Sequence, residues 1–227
     1  MNLLIGHLKG GVGKTTLAVN IAATLAHFYN VWLVDGDPRR RAFNSMTARL
    51  DTEIEPAVPA DTYVVGKEFN QQVSLKARHY DHIVVDSGGH DSEVLRWGMT
   101  LADVMLVPVE PRHYAVWDMD DLAQMIDKVQ EVREMAGKPP LKVVAMINLA
   151  EASTLSRWNI ATEKEIKARH QFQYIPSKVV ERIAFSEAAA CGRSVLEMKP
   201  KNPDACKELA NLMTELYGEH PWLQVKG

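Results

Sequence analysis

Short apolar runs recur along the chain, spaced widely enough to leave a helix between most of them. They are NLLIGH (2–7), VWLVDGD (31–37), DTYVV (61–65), DHIVVD (81–86), DVMLVPV (103–109) and LKVVAMIN (141–148). Each is rich in β-branched residues and lacks strict apolar–polar alternation, the pattern of strands buried on both faces. KTTLAVNIAATLAHF (14–28) and MDDLAQMIDKVQEVREMAG (119–137) read as helices, the second closed by Gly137 ahead of Pro139 and Pro140. This alternation predicts an α/β fold: a mostly parallel twisted sheet, right-handed crossovers and helices on both faces. Ligands in such sheets bind at the carboxyl ends of the strands. DTEIEPAVPAD (51–61) reads as a surface loop. No repeat, low-complexity tract or linker interrupts the pattern, and 227 residues suit a single domain spanning 1–227.

The first apolar run leads directly into HLKGGVGKTT, and a helical segment follows. A phosphate loop requires that context. Successive backbone N–H groups wrap the anion, and the helix N-terminus adds partial positive charge. Gly10, Gly11 and Gly13 permit close backbone approach, with Val12 inside the cradle. Lys14 can reach the β- and γ-phosphates, Thr15 can coordinate Mg²⁺, and Thr16 can bond the α-phosphate. The usual pattern G-x-x-x-x-G-K-[ST] puts a glycine where this chain has Leu8, and it has no counterpart to Lys9. Polar residues close three later runs: Asp35 and Asp37, then Asp86, then Asn148. A carboxylate ending a buried strand beside a phosphate loop suits a metal-holding role. Asp35 to Pro38 also reads as a turn capping the next helix. Gly88 and Gly89 suit either amides aimed at a γ-phosphate or a simple turn. His90 and Asp91 read as the start of a helix, because one histidine beside two aspartates is a weak metal pattern.

KGGVGKTT resembles the deviant Walker A motif, K-G-G-x-G-K-[ST], of the ParA/MinD group of P-loop ATPases, a SIMIBI-type NTPase group. The likeness continues through D-x-D-P at 35–38. It extends to YIPSKVVERIAFSEAAACGRSVLEM (174–198), similar to the group's I-P, S-E-A and G-x-x-V segment, and so spans residues 2–200. It implies ATP hydrolysis with Mg²⁺, and it makes Leu8 an ordinary feature. It also implies roles. Lys9 would cross a dimer interface to the partner's ATP, acting with Lys14 and Asp37, and Asp37 would position the attacking water. Thr15, Asp35 and Asp86 would serve the metal, Gly10 to Thr16 the phosphates, and Asn148 and Pro176 the adenine. Asn148 also suits a polar strand-end cap. Two departures stand out: Arg39 where the group usually has Gln, and Ser87-Gly88-Gly89 where it often has prolines.

Composition narrows the partners. A net charge of −3 carries no overall basic signature, so DNA binding would rest on a local patch. Arg157, Lys164, Lys167, Arg169, Lys178, Arg182, Lys199, Lys201 and Lys207 lie among acidic neighbours and read as either a DNA patch or solvated helix faces. Cys191 and Cys206 form no C-x-x-C pair, which argues against a metal or redox centre, and Cys191 reads as buried or semi-buried. No signal peptide is evident, and no apolar run nears the roughly 20 residues of a membrane span. The tail GEHPWLQVKG (218–227) is too short and mixed for an amphipathic membrane helix. A cytoplasmic protein is expected, nucleoid-associated if it binds DNA. The resemblance implies a ParA-type Mg²⁺-dependent ATPase. It would form an ATP-sandwich homodimer, bind DNA non-specifically and drive plasmid or chromosome partition, with hydrolysis stimulated by a ParB-like adaptor. The alternative is an ATP-switched recruitment or positioning protein for a protein cargo or a conjugative or T-DNA transfer complex.

Overall fold

The computed structural model describes residues 1–111, 115–153 and 155–225, which leaves the last two residues of the tail outside. Its strands are β1 (Asn2–Ile5), β2 (Val31–Asp35), β3 (Ala60–Thr62), β4 (His82–Asp86), β5 (Val104–Val109), β6 (Lys142–Ala150), β7 (Gln173–Tyr174) and β8 (Val179–Val180). The sheet order is β3-β2-β4-β1-β5-β6-β7, with β8 also paired to β6. Every recorded pairing is parallel. The helices are α1 (Lys14–Ala26), α2 (Arg41–Asp51), α3 (Gly66–Lys76), α4 (Glu93–Leu101), α5 (Ala115–Met135), α6 (Arg157–Lys167), α7 (Ile183–Ala190) and α8 (Pro203–Tyr217).

The missing alternation in the apolar runs has a direct cause. Leu3, Ile5, Leu33, Val84, Leu106 and Met146 enter one core, beneath α1, α2, α7 and α8. Their neighbours Leu4, Trp32, Val34, Val85, Met105 and Ile147 enter a second core, beneath α3, α4, α5 and α6. Each fully buried aliphatic side chain contributes about 1.5–3 kcal/mol, so the central strands are apolar on both faces up to the polar residues at their carboxyl ends.

Boundaries differ from the sequence reading where the chain turns. β1 stops at Ile5, and the next residue, Gly6, sits tightly against Met105 and Leu95, which would lie 2.7 and 2.8 Å from an added Cβ. α5 starts at Ala115 and ends at Met135, and Gly137 makes the closing turn at φ 64°. The 51–61 stretch is mainly loop, with β3 already begun at Ala60. Cys191 corrects an expectation, because it is exposed while Cys206 is buried. It caps the end of α7. The neighbouring Gly192, at φ 66°, takes the tight place against the Ser45 carbonyl and the Arg49 backbone. Arg49 of α2 is itself buried, bonding Glu197 through both carboxylate oxygens at 2.9 and 2.8 Å and the Gly192 carbonyl at 2.8 Å. His27 shares Glu197 at 2.7 Å. This knot fastens α1 and α2 to the segment that follows α7.

Candidate functional site

β1 lies between β4 and β5, so the loop leaving its carboxyl end crosses the middle of the sheet before α1. Gly11 and Gly13 adopt φ 84° and 87°, the left-handed region that favours glycine. Gly13 is the N-cap of α1, and its carbonyl accepts from Leu17 N at 3.0 Å. A Cβ on Gly13 would also run into the Asn148 amide. Behind the loop, buried His7 accepts the Lys9 amide at Nδ1, 2.9 Å away, which leaves its proton on Nε2. Burial, then the charges of Lys14 and Lys9, push its pKa down to about 3, so it braces the loop as a neutral ring. Nothing in the sequence pattern singled out His7.

The loop floors a cleft of about 370 Å³ lined by Gly10, Gly11, Gly13, Lys14, Thr15 and Thr16. Asp37, Pro38, Arg39 and Arg41 form one rim, and Gly88, Gly89 and His90 form another. Lys14 is buried and donates to the Lys9 carbonyl at 2.6 Å. Burial lowers its pKa to about 8, opposed by the charges of Asp86 and Asp37. Thr15 donates its hydroxyl to Asp86 Oδ2 at 2.6 Å. Asp86 is fully buried, and its Oδ1 has no partner. Burial raises its pKa to about 7; the Thr15 bond and Lys14 oppose this, while Asp35 and Asp37 add to it. An orphaned buried carboxylate oxygen beside a threonine hydroxyl fits Mg²⁺, which takes few protein oxygens in phosphate sites. Among the described residues no group of three or more His, Cys, Asp or Glu could hold a metal alone.

Asp35 pairs with Asp86 in the β2–β4 register but does not line the cleft. Its oxygens accept the amides of Asp37 at 2.8 Å and Phe43 at 2.9 Å, bracing the turn into α2, and burial raises its pKa. Asp37 reaches the cleft and accepts the Arg39 amide at Oδ1, 2.9 Å away. The loop after β4 wedges between Asp37 and the phosphate loop. A Cβ on Gly88 would lie 3.4 Å from Asp37 Cα, and one on Gly89 would lie 3.0 Å from Gly10 Cα. Side chains at these positions would crowd the opening.

The remaining expected residues are more dispersed. Lys9 points to Glu110, just beyond β5, with Nζ 3.3 Å from Oε2. Glu110 is largely buried, and the sequence reading passed over it. Asn148 donates to the Val12 carbonyl at 2.7 Å, tying β6 to the phosphate loop, and its buried Oδ1 has no partner. Pairing of Asn148 with Val179 brings the Pro176 segment to the same end of the sheet. Pro176 itself lines a separate open groove with Ser177, Asn211 and Thr214. His90 and Asp91 precede α4, whose N-cap is Ser92, and Asp91 is held by Arg96. Among the described residues, four of the basic set of nine are ion-paired: Lys167 and Lys178 with Glu163, Arg169 with Asp120 and Glu165, and Arg182 with Glu208 and Asp204. Lys201 bonds the Val225 carbonyl. Among the described residues no helix is long and apolar enough to cross a membrane.

A parallel sheet whose central strand runs through a glycine-rich loop into a helix, with strand-end carboxylates beside it, defines a P-loop nucleotide-binding protein. Residues 3–195 match the CobQ/CobB/MinD/ParA nucleotide binding domain, and the chain belongs to this family, whose ParA/MinD branch comprises ATPases. It is 26% identical to the maintenance of carboxysome distribution protein A of Halothiobacillus neapolitanus, over 94% of this chain and 95% of that one. It is 24% identical to the chromosome-partitioning ATPase Soj of Thermus thermophilus, over 89% of this chain and 90% of that one. Its fold matches an ATP complex of a Cyanothece McdA variant with a TM-score of 0.76 at 16% identity, covering 96% of this chain and 97% of that one.

Proposed function

We propose that the chain is a Mg²⁺-dependent ATPase that dimerises around ATP and is reset by hydrolysis. The observation that carries this reading is the Thr15–Asp86 pair, with its orphaned oxygen, beside buried Lys14 at the floor of the cleft. The amides of Gly10 to Thr16 wrap the phosphates, and Lys14 exchanges its loop carbonyl for phosphate oxygens. Thr15 and Asp86 hold Mg²⁺, while Asp35 braces the turn that carries Asp37. The bound metal supplies neutralising charge at the phosphate oxygens. Asp37 orients the attacking water; phosphoryl transfer demands positioning more than strong base chemistry. Lys9 leaves Glu110 to reach the partner's nucleotide. Asn148 and the Pro176 segment flank the base. Lys14→Ala tests the reading by calorimetry with ATP: binding should fall at least about 100-fold, as a desolvated charge-assisted contact is lost. Near wild-type affinity contradicts it.

In the partition reading, the ATP dimer binds DNA non-specifically and a ParB-like adaptor stimulates hydrolysis, in the cytoplasm over the nucleoid. The Soj relative supports it. Of the basic set with no ion pair recorded among the described residues, Arg157 and Lys164 lie two turns apart on α6, and Lys199 and Lys207 lie elsewhere, so the basic face is small. Doubling it in a dimer would raise avidity. The carboxysome-distribution relative favours the second reading, an ATP-switched positioning protein for a protein cargo. DNA retention that requires ATP and weakens in Arg157→Ala supports a DNA-bound dimer, whereas absence of retention at low salt removes it.

A further inference from the structure

We propose that Arg39 and Arg41 contact the terminal phosphate of a bound nucleoside triphosphate and let a single chain tell triphosphate from diphosphate. This rests on the nucleotide reading above. Three consecutive arginines stand at the entrance to α2. Arg40, its N-cap, adopts φ 55° and ψ 33° and lays its guanidinium over Phe43, 4.9 Å from the ring centroid. Arg39 and Arg41 instead line the cleft with Lys14. The turn is anchored on the acid between them and the cleft floor. Asp37 accepts the Arg39 amide at 2.9 Å through its side chain and the Arg40 amide at 2.8 Å through its carbonyl.

Charge pairing separates these two arginines from several other surface arginines, and their place on the cleft separates them from the rest. Arg96, Arg169 and Arg182 each hold a carboxylate. No ion pair is recorded for Arg39 or Arg41 among the described residues. Lys9 is engaged by Glu110, so within one chain the outer cations of the cleft are the arginines. The facing rim is Gly88, Gly89 and His90, and at its two glycines no side chain competes for the ligand. A guanidinium fork matches phosphoryl oxygens bidentately, and the charge that distinguishes a triphosphate lies at its outer end.

The test is calorimetric titration of the whole chain with MgATPγS and with MgADP. It compares wild type with Arg39→Gln, Arg41→Gln, the double variant and Arg39→Lys. Both side chains are exposed, so folding is not at stake. Each Gln variant should lose about tenfold in ATPγS affinity while ADP affinity stays within about twofold. Arg39→Lys, which keeps the charge but not the fork, should fall between. Equal losses for both nucleotides, or an unchanged ratio in the double variant, overturns the arginine assignment and leaves the nucleotide reading standing. A wild-type chain that binds neither nucleotide overturns both.

Discussion

Replacing Asp86 by Asn removes a carboxylate that the fold holds at a cost. Burial raises its pKa from 3.8 to about 7. Between those values the folded chain holds a proton that the unfolded chain does not, so stability falls as pH rises. The favourable contribution is complete below 3.8 and is lost as pH passes through about 7. A shift of roughly three units corresponds to about 4 kcal/mol. The side-chain amide that Asp86→Asn introduces still accepts the Thr15 hydroxyl through its oxygen, but its NH₂ lacks an acceptor, at about 1–3 kcal/mol independent of pH. Unfolding free energies from urea titration, without nucleotide or Mg²⁺, should therefore diverge. The variant's advantage over wild type should grow by about 4 kcal/mol between about pH 4 and about pH 8, leaving it the more stable at the upper end. A difference that stays flat across this range refutes the argument, because it means the carboxylate is charged throughout.

Asp37→Ala should bind ATP within a few-fold of wild type yet lose turnover by roughly 100-fold or more in a phosphate-release assay; wild-type turnover rules out its water-positioning role. Lys9→Ala should leave nucleotide affinity of the single chain intact and lower ATP-dependent dimerisation, measured by sedimentation at several concentrations. Glu197→Gln strands the buried Arg49 guanidinium and should cost about 3–5 kcal/mol by urea unfolding. A loss below about 1 kcal/mol means that Arg49 finds other partners.

The parts of this fold legible in the sequence were those set by burial. Val31 to Asp35 and Val104 to Val109 are buried at every position, so their composition alone marks them as central strands. The two-residue strands β7 and β8 carry no periodicity to detect, since tertiary packing alone creates them. α8 did carry a signal: Asn202 caps the Ala205 amide and Pro203 opens the helix. The phosphate loop was legible because its backbone demands fix glycine identity at Gly11 and Gly13. Glu110, His7 and the Arg49–Glu197 pair were not, because each matters through a partner that only the folded chain brings near. Asp35 showed the limit of motif reading: its position was foreseen, but its oxygens serve backbone amides.

The central claim is that ATP, held in this cleft, joins two chains. Light scattering of the whole protein with MgADP and with MgATPγS, nucleotide occupancy confirmed in each, tests it most directly. The account predicts the mass of one chain with ADP and twice that mass with ATPγS. The same mass in both nucleotide states contradicts it.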